Sequence, residues 1–265
     1  MIHSTTSRKK STLKRISIKA GVILIWLLLW QLFAVFVNKE LLLPTPEATF
    51  MSLFSLVQTG DFWLSIVATL LRIVAGCAAG IVVGTLLAAA TFCVKFIYEF
   101  LRPVITVIRA TPVASFIILL LVWIRRDYVP AVIAFLMVLP IVWANVSEGL
   151  ARTDKNLLEM ARTFSMGRKK TVRHVYIPQT MPYFVAACNS AIGLSWKAGV
   201  AAEALSLPAK AVGSGLYYSK IYLETPELFA WTATVIVLSI AVEKLTRLAI
   251  SKLTKGKGEQ NADNA

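Results

Sequence analysis

Carboxylates, histidines and cysteines are all scarce in this chain. Its 265 residues include 14 Asp and Glu, two His and three Cys, and 16% of positions are charged. Neither histidine has a Cys, His or carboxylate at metal-ligand spacing, since His3 lies in a basic tail and His174 in a basic loop. The sequence also lacks a nucleophile elbow, a phosphate-binding glycine loop and a pair of carboxylates buried together. No catalytic centre, metal or cofactor is expected, so any energy this protein uses comes from a partner. Cys77, Cys93 and Cys188 all fall within apolar runs, which excludes a disulfide framework and makes them small buried hydrophobes.

Hydrocarbon is abundant instead. Hydrophobic residues make up 57% of the chain, more than one soluble core hides, which excludes a soluble globular enzyme. The 28 Lys and Arg against 14 acids leave a net charge of +14, which suits nucleic acid or the anionic face of a membrane. The basic loop has no interleaved aromatics and is flanked by apolar runs, so nucleic acid is excluded.

A spanning helix needs roughly 20 mostly apolar residues, because about 30 Å of hydrocarbon is crossed at about 1.5 Å per residue. Six stretches are expected to span: Gly21–Val37, Trp63–Phe92, Val104–Ile124, Val129–Val146, Tyr183–Ala204 and Leu228–Ile250. The fold class is therefore an all-α, polytopic membrane helix bundle. The first stretch follows Arg8, Lys9, Lys10, Lys14, Arg15 and Lys19, but no small-residue cleavage site follows it, so it reads as an uncleaved span. Cytoplasmic loops carry the excess of Lys and Arg. That rule puts both termini inside, with segments 1–20, 93–103, 147–182 and 251–265 cytoplasmic. Residues 1–20 then form a basic tail, 21–250 a transmembrane domain, and 251–265, which have little to bury, a disordered tail. Arg125-Arg126 objects, since it falls in a loop that is external on this scheme.

Leu43-Pro44-Thr45-Pro46 ends the first hairpin arm, and residues 47–56 have the spacing of a short interfacial helix or a plain loop. In the second span Gly76, Gly80 and Gly84 clear one face for close helix packing. Prolines at 112, 130, 140, 178 and 182 are expected to break or kink helices at membrane depth. Ionisable residues at depth are few, and each is a candidate for the solute pathway: Arg72, Arg109, Lys197 and Glu203. Arg72 and Arg109 either hold an anion or snorkel to an interface or a carbonyl. Lys197 and Glu203 are six residues apart, so they pair only if the helix breaks, with Gly199 the place for it.

The long loop 147–182 reads as two short helices. Asp154 to Thr163 places Leu157, Leu158, Ala161 and Phe164 on one stripe, opposite Lys155, Glu159 and Arg162, with Thr153 or Asp154 as cap. Ser165-Met166-Gly167 interrupts it. Arg168 to Tyr176 follows, with Val172 and Val175 inward and Lys169, Lys170 and Arg173 outward, and Pro178 stops it. Such a knob fits a groove on a soluble protein, or its cations rest on phospholipid.

Glu159-Met160-Ala161-Arg162-Thr163-Phe164-Ser165-Met166-Gly167, followed by Tyr176-Ile177-Pro178, resembles the EAA loop of permease subunits of bacterial ABC importers. Met160 replaces the family's first alanine, and Ser165 stands where its glycine is usual, so Gly167 is expected to supply the flexible backbone. Leu-Pro-Thr-Pro at 43–46, Arg-Ala-Thr-Pro at 109–112 and Trp-Lys-Ala-Gly-Val-Ala-Ala-Glu at 196–203 are similar to the branch that imports nitrate, sulfonates and taurine. The resemblance implies a type I importer-like pore of two permeases, with a homodimer the simplest assembly. It also implies cytoplasmic ABC ATPase subunits, an extracytoplasmic solute-binding protein and a bacterial cell-membrane location. Leu157, Leu158, Glu159, Ala161, Phe164, Ser165, Gly167 and Pro178 would couple the loop to the ATPase. The solute would be a small anion, or alternatively a pyrimidine or thiamine precursor. Outside the family, an ion-coupled secondary transporter is the competing class, though no inverted repeat is visible.

Overall fold

The computed structural model describes residues 5–262, with side chains described at Ile18 and at 21–248. Its elements are helical: α1 (Thr5–Val37), α2 (Pro46–Val57), α3 (Gly60–Cys93), α4 (Lys95–Ala110), α5 (Val113–Trp123), α6 (Val129–Ala151), α7 (Lys155–Thr163), α8 (Arg168–Thr171), a π turn (Val172–Tyr176), α9 (Ile177–Ser206), α10 (Val212–Ile221) and α11 (Thr225–Ala262).

α3, α6 and α9 make the centre, for a reason written in α3. A Cβ added at Gly76 would lie 2.0 Å from the carbonyl oxygen of Ala131, at Gly80 2.8 Å from Val138 Cβ, and at Gly84 3.0 Å from the carbonyl oxygen of Leu139. The contacts advance together along both chains, so α3 and α6 run parallel with their backbones nearly touching. α9 runs antiparallel to α3, placing Gly199 against Ile73 and Glu203 against Thr69. Cys77, Ala88, Val138, Val142, Trp143, Ala187 and Ala191 are buried among these helices. α11 joins them by Trp231, tilted against Phe62 at 5.2 Å. α1 lies outside, tied by the Trp30 indole, which donates to the Pro44 carbonyl at 3.0 Å and stacks on Phe229.

Three helices, α3, α6 and Thr225–Leu248 of α11, are long and apolar enough to cross a bilayer, or four if a bent pair counts as one span. Six are expected from sequence, and the difference has causes. The third stretch is two helices: α4 and α5 meet at 107° across Thr111-Pro112, where Pro112 has no amide to donate and holds its predecessor extended. α4 also begins at Lys95, inside the stretch 93–103 expected as a loop. α9 is 30 residues long, but Lys197, Glu203 and many Ala, Ser and Gly dilute its hydropathy. The described side of α1, Gly21–Val37, is a shorter apolar segment.

Other expectations are corrected too. α6 passes Pro140 unbroken, and Pro130 sits in its first turn, where a missing N–H costs nothing. Pro178 does not stop a helix, since α8, the π turn and α9 run on without a gap. The backbone of α11 is helical through 251–262, where composition favours an unstructured tail. Residues 1–4 and 263–265 of the two expected tails lie outside the described residues. Of the two alternatives at 47–56, a short helix or a plain loop, the helix forms as α2, opened by Pro46 and capped by Thr45, whose hydroxyl accepts from the Ala48 amide at 3.1 Å.

Candidate functional site

Two constructions stand at opposite ends of the bundle: a clasp where α3 meets the 207–214 segment, and a knob formed by residues 152–176.

The clasp starts from Glu203, which has no exposed side-chain surface. A carboxylate so placed needs partners, and it accepts from the Thr69 hydroxyl at 2.9 Å and the Gly213 amide at 3.1 Å, with Arg72 Nη1 at 3.5 Å. Arg72 spends its other donors on the carbonyls of Lys210 at 3.0 Å and Ala209 at 2.9 Å. Thr69 Oγ1 in turn accepts from the Val212 amide at 3.0 Å. Lys210 Nζ meets Asp61 at 2.5 Å, and Asp127 accepts from the Ala209 amide at 3.3 Å. Leu207 and Lys210 both have left-handed backbones, at φ 51° and 50°, which folds the chain back between α9 and α10. Gly213 permits this: a Cβ there would stand 2.5 Å from Glu203 Cβ.

Arg72 is thus neutralised in place by Glu203, 131 residues away in sequence. The pairing weighed from sequence, Lys197 with Glu203, does not form; α9 is unbroken at Gly199, whose missing side chain makes room for Ile73 instead. The objecting Arg125-Arg126 pair lies at this same end, where Arg125 meets Asp127 at 3.8 Å.

Lys197 and Arg109 differ from Arg72. Both are exposed, and neither has a hydrogen-bond or ion-pair partner among the described residues. Lys197 sits inside α9; Arg109 ends α4 just before the bend.

The knob is built from local signals. Arg152 closes α6 and pairs with Glu148, whose hydrogen bond and charge raise its guanidinium above the ordinary arginine value. Asp154 caps α7, accepting from the Asn156 amide at 2.8 Å. α7 ends in a Schellman motif: the Met166 amide donates to the Ala161 carbonyl at 2.8 Å and the Ser165 amide to that of Arg162 at 2.9 Å. The left-handed residue that this motif requires is Ser165, at φ 51°. Gly167, expected to supply the turn, has φ −62° and open space around it. The expected stripe is also divided. Ala161 is 1% exposed and faces the protein, Leu157 and Leu158 are half-buried, while Phe164 and Met160 are exposed beside Glu159.

The second half of the knob departs further. Pro178 and Pro182 both lack an amide, and the ring of Pro178 would press on the carbonyl of His174 in a regular α-helix. The helix widens there into a π turn, with the Ile177 amide donating to Val172. The extra residue per turn leaves Val175 buried but rotates Val172, expected inward, to the surface. Tyr176 holds the turn to the end of α3, edge-on to Phe92 at 5.5 Å. Beside it a hollow of about 490 Å³ is lined by Thr91, Lys95, Tyr98, Trp143, Ser147 and Glu148, among others.

The comparisons with known proteins cover both ends. Residues 80–254 match the family described as binding-protein-dependent transport system inner membrane component. A putative aliphatic sulfonates transport permease protein, SsuC, of Bacillus subtilis is 24% identical over 94% of this chain and 91% of its own length. A nitrate import permease, NrtB, of Leptolyngbya laminosa is 31% identical over 62% of this chain and 57% of its own. A bicarbonate transport system permease, CmpB, of Synechococcus elongatus is 26% identical over 68% and 69%. The fold is shared with a crystal structure of an amino acid ABC transporter, at TM-score 0.59 and 19% identity over 71% of this chain and 94% of the other. It is shared too with the inward-facing MetNI methionine ABC transporter, at TM-score 0.54 and 18% identity over 73% and 93%. ATP hydrolysis in such systems belongs to a partner ATPase, and a solute-binding protein is the other implied partner. This chain, a multi-pass membrane protein, belongs to the family of binding-protein-dependent ABC transport permeases.

Proposed function

We propose that the chain is one half of a homodimeric pore that imports a small anion, with both termini and the knob on the cytoplasmic side and the clasp outside. The carrying observation is the family match over 80–254, which takes in the knob and its supporting helices together. Each chain holds one knob, so two identical chains present two to an ATPase pair. Met160, Phe164 and Glu159 form the exposed contact face, while Leu157, Leu158 and Ala161 brace α7 from beneath. ATP-driven closure of the ATPases draws the knobs together, and the continuous helix through the π turn transmits that movement into α9. α1 and α9 count as spans in this scheme by length, since α9 has 30 residues and Gly21–Val37 of α1 is an apolar segment.

Anion import is supported by the sulfonate, nitrate and bicarbonate relatives. It is tested by reconstituting the chain with its ATPase and binding protein in vesicles. ATP-dependent accumulation of labelled nitrate, bicarbonate or an alkanesulfonate is expected. Uptake of a neutral pyrimidine with none of these anions contradicts it.

A further inference from the structure

Three features of the bundle stand apart from its core packing: the hollow beside the π turn, the clasp, and the exposed face of α9. The hollow opens where the knob meets the bundle, and the clasp satisfies its own charges. The α9 face does neither.

α3, α6 and α9 contain two basic residues between them, Arg72 and Lys197. Arg72 is spent on Glu203 and two carbonyls. Lys197 lies 20 residues from the start of α9 and nine from its end, with Trp196 and Ala198 buried on either side of it. Its own side chain is exposed and has no partner among the described residues. At 100° per residue, Ser190, Lys197 and Ala201 share one strip, and all three are exposed. On one flank Ala198 and Ala202 pack against α5. On the other Gly193 approaches α11, where the Glu243 carboxylate would stand 3.4 Å from an added Cβ. The strip therefore runs between the α5 contacts of α9 and its approach to α11. A bare ammonium on a lipid-facing strip at this depth is costly; Ser190 and Ala201 continue the strip with small side chains, and the exposed Leu194 and Leu205 lie about 60–80° round the helix on its α5 side. A water-filled path satisfies the ammonium.

We infer that this strip of α9 lines the conducting path and that Lys197 is the residue that attracts and positions the transported anion there. Arg72 and Glu203, which also lie at depth, are excluded from that role because they satisfy each other, and Arg109, equally unpartnered among the described residues, stands at the end of α4 and outside the three central helices. The inference rests on the importer reading above and assigns its charge selection to one residue.

The test reads the local field directly. The full chain carries Cys93→Ser to remove the exposed native thiol and Ala201→Cys as reporter, one helical turn from Lys197. It is purified with the subunits that accompany it and placed in lipid nanodiscs. Modification rates are measured with sulfonatoethyl methanethiosulfonate and with its trimethylammonium counterpart, each normalised to a small thiol in water. A unit charge about 6 Å away in a water-filled path favours the anionic over the cationic reagent roughly tenfold. That bias is expected with Lys197, retained in Lys197→Arg and lost in Lys197→Gln. No reaction with either reagent, equal normalised rates, or a bias unchanged in Lys197→Gln overturns the inference. Because no transport is measured, a Lys197-dependent bias without ATP-driven uptake would strike the importer reading and leave the residue assignment standing.

Discussion

Ser165 sits at φ 51°, a conformation that costs an L-residue about 1–2 kcal/mol. Glycine loses more backbone freedom on folding, by about 0.5–1 kcal/mol, so the conformational term is the larger. Ser165→Gly is therefore expected to stabilise the purified protein by about 0.5–1 kcal/mol in thermal unfolding, and Ser165→Val to destabilise it by at least as much. Gly167, at φ −62° with nothing near it, should accept Ala or even Pro with little change in the same assay. This reverses what its place in the sequence implies, where Gly167→Pro looks disruptive. Removing one side of the clasp leaves the other buried: Arg72→Met is expected to cost about 3 kcal/mol. Adding Glu203→Gln to it should recover part of that loss, measured as a double-variant cycle. The clasp was illegible in sequence because Arg72 and Glu203 are 131 residues apart, while Lys197, six residues from Glu203, offered a nearer and wrong partner. The glycines of α3 were legible because four-residue spacing is a local signal that needs no knowledge of the other helix.

Elements were less legible than residues wherever proline was involved. The missing amide marked the α4–α5 break correctly at Pro112 but not its 107° turn, and hydropathy alone joined the two helices into one span. At Pro178 the same missing amide was absorbed by a π turn instead of ending the helix. Pro178→Ala with Pro182→Ala restores both donors and should convert the π turn to regular α-helix, rotating α8 against α9. Spin labels at 169 and 186 would report a changed distance, and an unchanged distance would mean that something other than the prolines holds the turn. The α3–α6 contact makes a second demand on an element. Gly76→Ala puts a carbon 2.0 Å from the Ala131 carbonyl oxygen and forces the helices apart, at about 1–3 kcal/mol. Gly21→Ala, inside α1 with nothing within 4 Å, should cost nothing and stabilise by up to about 1 kcal/mol in the same unfolding measurement.

At the scale of the whole molecule, we propose that a bundle with no engine of its own is driven through a rigid projection. The stiffness comes from the Schellman end of α7, the buried Ala161 and the unbroken run from α8 into α9. Glu159 lies exposed on the projection, and its carboxylate has no hydrogen-bond or ion-pair partner among the described residues, so Glu159→Lys should leave stability within about 0.5 kcal/mol of the parent. The same variant is expected to sever solute uptake from ATP hydrolysis in reconstituted vesicles. The most direct measurement is a cross-link from Phe164→Cys, made in inside-out membrane vesicles that also carry the ATPase. The account predicts a product joining the chain to the ATPase, with a yield that changes when ATP is added. Labelling of that cysteine from the opposite side of the membrane, with no ATPase product, would contradict it.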